Sequence, residues 1–107
     1  MTAPLQQILA ELKSALVKLY GERLERVVLY GSQARGDAQP DSDIDILVIL
    51  SGEFNSTIEQ DRVSYITSDL DLKHDVLITT LILSEDHLER HKDWSFFASV
   101  RREGIQL

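Results

Sequence analysis

The sequence predicts an α/β (α+β) fold, a mixed β-sheet flanked by helices, and three observations carry that expectation. A long segment with a helical apolar period opens the chain. Two short β-branched runs follow, separated by a turn-rich segment, and a third such run comes after a second helical stretch.

From Pro4 to Tyr20, the residues Leu5, Ile8, Leu9, Leu12, Leu16 and Leu19 recur at steps of three and four, which gathers them on one helical face. Pro4 suits the first turn and Gly21 the end. Arg26 to Tyr30 is β-branched and aromatic and stops at Gly31, the pattern of a buried strand. Residues 36–42 are rich in turn formers, and Ile44 to Leu50 is an apolar run of strand length. After Ser51-Gly52, Ser56 or Thr57 caps a helix to about Leu70, with Ile58, Val63, Ile66 and Leu70 as a looser apolar face. Residues 75–83 read as a third strand, opened by Asp75. Ser84 ends it and caps a short helix through His91; Ser95 caps a last helix bearing Phe96, Phe97 and Val100, closed by Gly104.

Composition limits the function classes. With 107 residues and 43% apolar content, the chain reads as a single domain over 1–107 with one core and no room for a second. The balance of 18 acidic to 11 basic residues, net −7, repels a phosphate backbone unless the basic groups cluster; Arg101-Arg102 come nearest, so nucleic-acid binding is disfavoured. The absence of cysteine removes disulfides, thiolate nucleophiles and Cys-based zinc sites. The N-terminus lacks a basic n-region, and no stretch approaches the roughly 20 apolar residues of a membrane span, so a soluble cytoplasmic protein is expected.

The chemistry lies in Gly31-Ser32-Gln33-Ala34-Arg35-Gly36 and in Asp43-Ile44-Asp45, which leads the second strand. Gly31, directly after a buried strand, lets a phosphate approach the backbone without meeting a Cβ, and Ser32 adds a hydroxyl to the N–H groups of the turn. Asp43 and Asp45 stand two apart on an extended segment, so both project from one face, roughly 7 Å apart. Magnesium takes few protein carboxylates and completes its shell with water and phosphate oxygens, which suits such a pair. A two-metal site for in-line displacement also wants a third carboxylate to activate the nucleophile. Asp75 is preferred for that role and for metal binding because it opens the third strand; Asp69 and Asp71 compete with it.

Other patterns carry less. An EF-hand loop starting at Asp41 needs Gly at its sixth position and Glu at its twelfth, where this chain has Ile46 and Gly52. No P-loop string occurs, and Ser32 has no evident His partner for hydrolase chemistry. His87 and His91, four apart, lack further zinc ligands and read as solvent-facing; His74 reads as a strand-edge residue, and Trp94, Phe96 and Phe97 as core of the last helix.

Gly-Ser-x-Ala-Arg-Gly followed by Ser-Asp-Ile-Asp and an apolar strand resembles the signature of the polymerase-beta-type nucleotidyltransferase superfamily in its minimal (MNT) branch. The resemblance extends over most of the chain, with its specific part between Gly31 and Val48. It implies a polymerase-beta-like fold, a triphosphate held at Gly31 and Ser32, Mg2+ at Asp43 and Asp45, and ATP as donor of AMP to an acceptor hydroxyl. Arg35 matches an arginine common in that branch, either as a phosphate contact or as a surface residue beside the turn. Members are often paired with a HEPN-domain toxin, which they neutralise as antitoxins by adenylylating a tyrosine. The same role is implied here. The alternatives are a non-catalytic antitoxin or regulatory subunit acting by contact, and a small-molecule (antibiotic) nucleotidyltransferase. Self-association, giving a homo-oligomer through the last helix, is a further expectation.

Overall fold

The computed structural model describes residues 1–107. Helix α1 (Ala3–Tyr20) starts where the Thr2 hydroxyl accepts from the Leu5 N–H, and Pro4 lies in its first turn. A turn of 3-10 helix over Gly21–Arg23 leads into strand β1 (Leu24–Tyr30), which is followed by a single helical turn, α2 (Ser32–Arg35). Strand β2 (Ile44–Leu50) has the bounds its apolar run predicts. Helix α3 (Ser56–His74) is capped by Asn55, whose side-chain oxygen accepts from the Ile58 N–H, rather than by Ser56 or Thr57. Strand β3 (Ile78–Ser84), helices α4 (Glu85–Arg90) and α5 (Ser95–Glu103), and a two-residue strand β4 (Ile105–Gln106) complete the chain. The Ser84 hydroxyl caps α4 by accepting from the His87 N–H.

The sheet has the order β3-β2-β1-β4. Strands β1 and β2 are antiparallel, as are β1 and β4, whereas β2 and β3 run parallel, with α3 as the crossover. Strand alternation divides the side chains between two layers. Val27, Leu29, Ile44, Ile46, Val48, Leu50, Ile78 and Ile82 face α1 and α3 and form the main core. Val28, Leu47 and Ile49 face the opposite layer with Val100 of α5, and Leu81, Leu83 and Tyr30 pack beside them. Asp45 has the parity of Leu47 and Ile49, so it belongs to this second, more open face.

Three expectations are corrected. The third strand does not begin at Asp75: α3 continues through His74, and Asp75 is its exposed C-cap in the left-handed region, with φ 54°. Aspartate tolerates that conformation better than most residues, so a helix end stands where β-branched composition suggested strand. His74 accordingly lies on α3, where its Nε2 meets Oε2 of Glu11 on α1 at 2.7 Å. Lys73 also pairs with Glu11, and together these contacts, Lys73 first, hold the Glu11 carboxyl down at about 2. Trp94 and Phe96 are exposed and only Phe97 is buried, so the last helix contributes one aromatic rather than three to the core.

The buried face of α3 is also shifted. Ile58 is exposed, and Glu59 is buried in its place, receiving the Tyr20 hydroxyl at 2.9 Å and lying near Arg62 and Arg23. An ionised acid can occupy this position because a phenol and two guanidinium groups replace its water. Burial, and after it the Glu59 bond, push the Tyr20 phenol up to about 12. Tyr20→Phe is expected to destabilise the fold by about 1 kcal/mol in denaturant titration at neutral pH. The raised pKa also sets a sign: the contribution of Tyr20 is complete below its ordinary 10.0 and is lost as pH rises to about 12. The native chain should therefore lose stability across that interval more steeply than Tyr20→Phe.

Candidate active site

Three strand ends meet at the site: β1 finishes at Tyr30, while β2 and β3 begin with Ile44 and Ile78. Asp45 is the residue at their junction. It lies opposite Tyr30 across the antiparallel pair and beside Thr79 across the parallel pair. The Thr79 hydroxyl donates to Oδ1 of Asp45 at 2.6 Å. The other oxygen, Oδ2, lies against Gly31, so close that a Cβ on Gly31 would collide with it. Gly31 also has φ 74° and ψ −157°, a conformation that only glycine adopts without strain. Two independent requirements thus converge on Gly31, one from the backbone turn and one from the neighbouring carboxylate.

After Gly31 the chain coils once. The Ala34 and Arg35 N–H groups donate to the Gly31 carbonyl, and Gly36, at φ 85°, ends the turn with its N–H on the Ser32 carbonyl. Ser32 is half-buried at the start of this turn. Gln33 donates from Nε2 to the Ser42 carbonyl at 3.3 Å, which ties the turn to the loop entering β2. Asp43 is exposed, one residue before β2, with the same parity as Asp45. Burial first, and then the charge of Asp45, raise the pKa of the Tyr30 phenol.

The remaining sequence candidates separate from this cluster. Arg35 is exposed, with Nε 3.3 Å from Oδ2 of Asp37 and Nη1 3.5 Å from Oε2 of Glu103 on α5; the Asp37 bond is the main reason its pKa is raised. Asp75 stands at the end of α3, three residues before β3. Asp71 accepts the Ile78 N–H at 2.9 Å and so fastens the start of β3, while Asp69 borders the groove between α1 and α3 on the other side of the sheet. No third acidic or histidine side chain joins Asp43 and Asp45 in a metal-competent cluster. His87 and His91 are in mutual ring contact, 4.5 Å between centroids, and His91 packs on Trp94 at 4.0 Å, an aromatic patch rather than a solvated pair. A hollow of about 390 Å3 beneath α4 and α5 is lined by Val28, Leu47, Phe97 and Arg26 and includes neither aspartate. Asp43 is exposed and Asp45 half-buried.

Sequence reasoning missed Thr79. Its signal is the alternation Leu83, Leu81, Thr79, which becomes readable only when the start and register of β3 are known.

The model of the nucleotidyltransferase domain family matches residues 9–100, which include every strand of the site. The chain belongs to this family. Two proteins of Methanocaldococcus jannaschii, each named "putative protein adenylyltransferase", are similar to it. One is 33% identical over 102 residues, spanning 95% of this chain and 96% of the relative. The other is 36% identical over 101 residues, spanning 94% and 96%. Among solved structures, a "putative minimal nucleotidyltransferase" superposes with a TM-score of 0.62 at 28% identity, covering 96% of this chain and 95% of the other. A toxin-antitoxin structure with AMP-PNP shares the fold, with a TM-score of 0.57 at 18% identity over 89% of this chain and 68% of the other.

Gly31→Ala is expected to reduce stability by about 1–3 kcal/mol through the left-handed backbone alone, read as a lowered melting temperature. Gly36→Ala meets a similar backbone penalty but no steric neighbour. Gly31→Ala should therefore be the more damaging of the two.

Proposed function

We propose that this chain transfers AMP from ATP to a hydroxyl of a partner protein, with Mg2+ held by Asp43 and Asp45. The observation that carries this reading is the Asp45 carboxylate set against the Gly31 turn, with Asp43 two residues before it. The donor set suits the ion: two carboxylates offer hard oxygens, and one of them is exposed enough to share a ligand with water or phosphate. When bound, the metal neutralises the phosphate oxygens and draws electron density from the phosphorus under attack.

The chain's own groups do the rest. Ser32 and the Gly31 turn receive the β- and γ-phosphates, with the Ser32 hydroxyl as a donor to an oxygen. Arg35 is close enough in sequence to follow them if it leaves Asp37 and Glu103. The acceptor oxygen forms a bond to the α-phosphorus, the bond from that phosphorus to the bridging oxygen breaks, and pyrophosphate leaves with the electron pair. The reaction belongs on open surface because the acceptor is a macromolecule, and the 33% and 36% identical relatives named as protein adenylyltransferases support a protein as that acceptor. A toxin of the HEPN class, neutralised by adenylylation, is the partner we infer. The fold shared with a toxin-antitoxin structure with AMP-PNP is compatible with it. Such a reaction belongs in the cytoplasm, and no helix of the chain is long and apolar enough to cross a membrane.

Incubation with ATP, Mg2+ and the product of the neighbouring reading frame should add an AMP mass increment to that partner. Asp43→Asn and Asp45→Asn should each abolish the increment. If both variants transfer as well as the native chain, the assignment fails. Asp75, expected from sequence to activate the acceptor, stands at a helix end; Asp75→Asn is expected to retain transfer.

A second reading has one observation in its favour: no third acid completes the cluster. In that case the chain binds nucleotide and neutralises its partner by contact. Neutralisation by Asp43→Asn and Asp45→Asn at native potency, together with an unmodified partner, is the outcome that selects it.

A further inference from the structure

We infer that Thr79 occupies the place of the third carboxylate, and that the site consequently holds one divalent ion per bound nucleotide rather than two. The inference rests on the magnesium–nucleotide reading above and deepens it.

Register carries the argument. Strands β2 and β3 are parallel, and Asp45 is directly beside Thr79. Only residues of β3 with the parity of Thr79 can project onto the acidic face; the next in each direction are Leu77, before the strand, and Leu81, packed in the second layer. A third acid supplied by β3 therefore belongs at 77 or 79, where this chain has leucine and threonine, and no other element brings an acid or histidine into a cluster with Asp43 and Asp45. Asp75 is two further residues back, where α3 ends.

Threonine does something different from a carboxylate. An aspartate at 79 would bring a third negative charge beside Asp45 and need a cation to offset it. Thr79 instead donates a hydrogen bond to Asp45 at 2.6 Å, satisfying Oδ1 from within the protein. Asp45 is half-buried, with one oxygen held by Thr79 and the other lying against Gly31. Asp43 is exposed. The result is one preset ligand and one that closes on the ion when it arrives with nucleotide, a ligand set for a single ion. Thr79 is thus a positioning residue, and the proton of the acceptor hydroxyl leaves to water or to a base of the partner protein.

Counting Mn2+ by electron paramagnetic resonance tests this, with the intact chain saturated by a non-hydrolysable ATP analogue. One Mn2+ per bound nucleotide is expected in the native chain. Thr79→Asp should raise the count to two. Thr79→Val, which keeps the shape and removes the donor, should weaken Mn2+ binding about 10–100-fold, and Thr79→Ser should restore it. Circular dichroism and melting of each variant separate loss of the hydroxyl from loss of the fold. Two ions in the native chain, or unchanged Mn2+ affinity in folded Thr79→Val, overturns the inference while leaving the nucleotide site intact. Failure of the magnesium–nucleotide reading looks different: no nucleotide-dependent Mn2+ binding, or binding that Asp45→Asn leaves unchanged.

Discussion

The contact between Gly31 and Asp45 is the constraint on which the site depends. A carboxylate oxygen occupies the space where any other residue at 31 would place its Cβ, and the backbone there is already in a glycine conformation. This one contact joins the end of β1 to the start of β2, and so joins the turn that can receive phosphate to the acid that can receive a cation. The antiparallel register supplies the partner for each: Tyr30 opposite Asp45, with Gly31 immediately beyond. The neighbouring parallel strand then adds the Thr79 hydroxyl.

The sheet separates stability from chemistry. Its α1 and α3 side contains the main core, with Leu12, Leu16, Ile46, Val48 and Leu50 fully buried. The opposite side has a smaller cluster, Val28, Leu47 and Ile49 with Val100 of α5, and Asp45 shares that face by strand parity.

Much of this was legible in the residues. Helix α1 announces itself by its apolar period, and β2 by its uninterrupted run between turn formers and Ser51-Gly52. Gly31, Ser32, Asp43 and Asp45 could be placed relative to one another because their spacing is local: two of them are adjacent at one turn, and two stand two apart at the entry to β2. What stayed hidden is non-local. Asp75 looked like a strand residue because Val76 to Leu83 follow it, whereas it terminates a helix whose last turn carries Lys73 and His74, a basic ending that was an available signal. Glu59 took a buried position because Tyr20, Arg23 and Arg62 gather around it in the fold, which no periodicity reports. β4 has two residues, too few for a pattern, and exists because the edge of β1 accepts it at Val28 and Leu29.

Arg35 draws the far end of the chain into the same account. Its guanidinium spans Asp37 in the adjacent loop and Glu103 at the end of α5. The Asp37 pair is solvent-exposed, and exposed pairs hold weakly; Glu103 is half-buried, but the Arg35 side chain it meets is exposed. An anion arriving at the turn competes with two carboxylates for a single cation, and whatever it gains is subtracted from the tether on α5. By thermodynamic reciprocity, anything that pulls α5 away from the turn frees the same guanidinium for the newcomer.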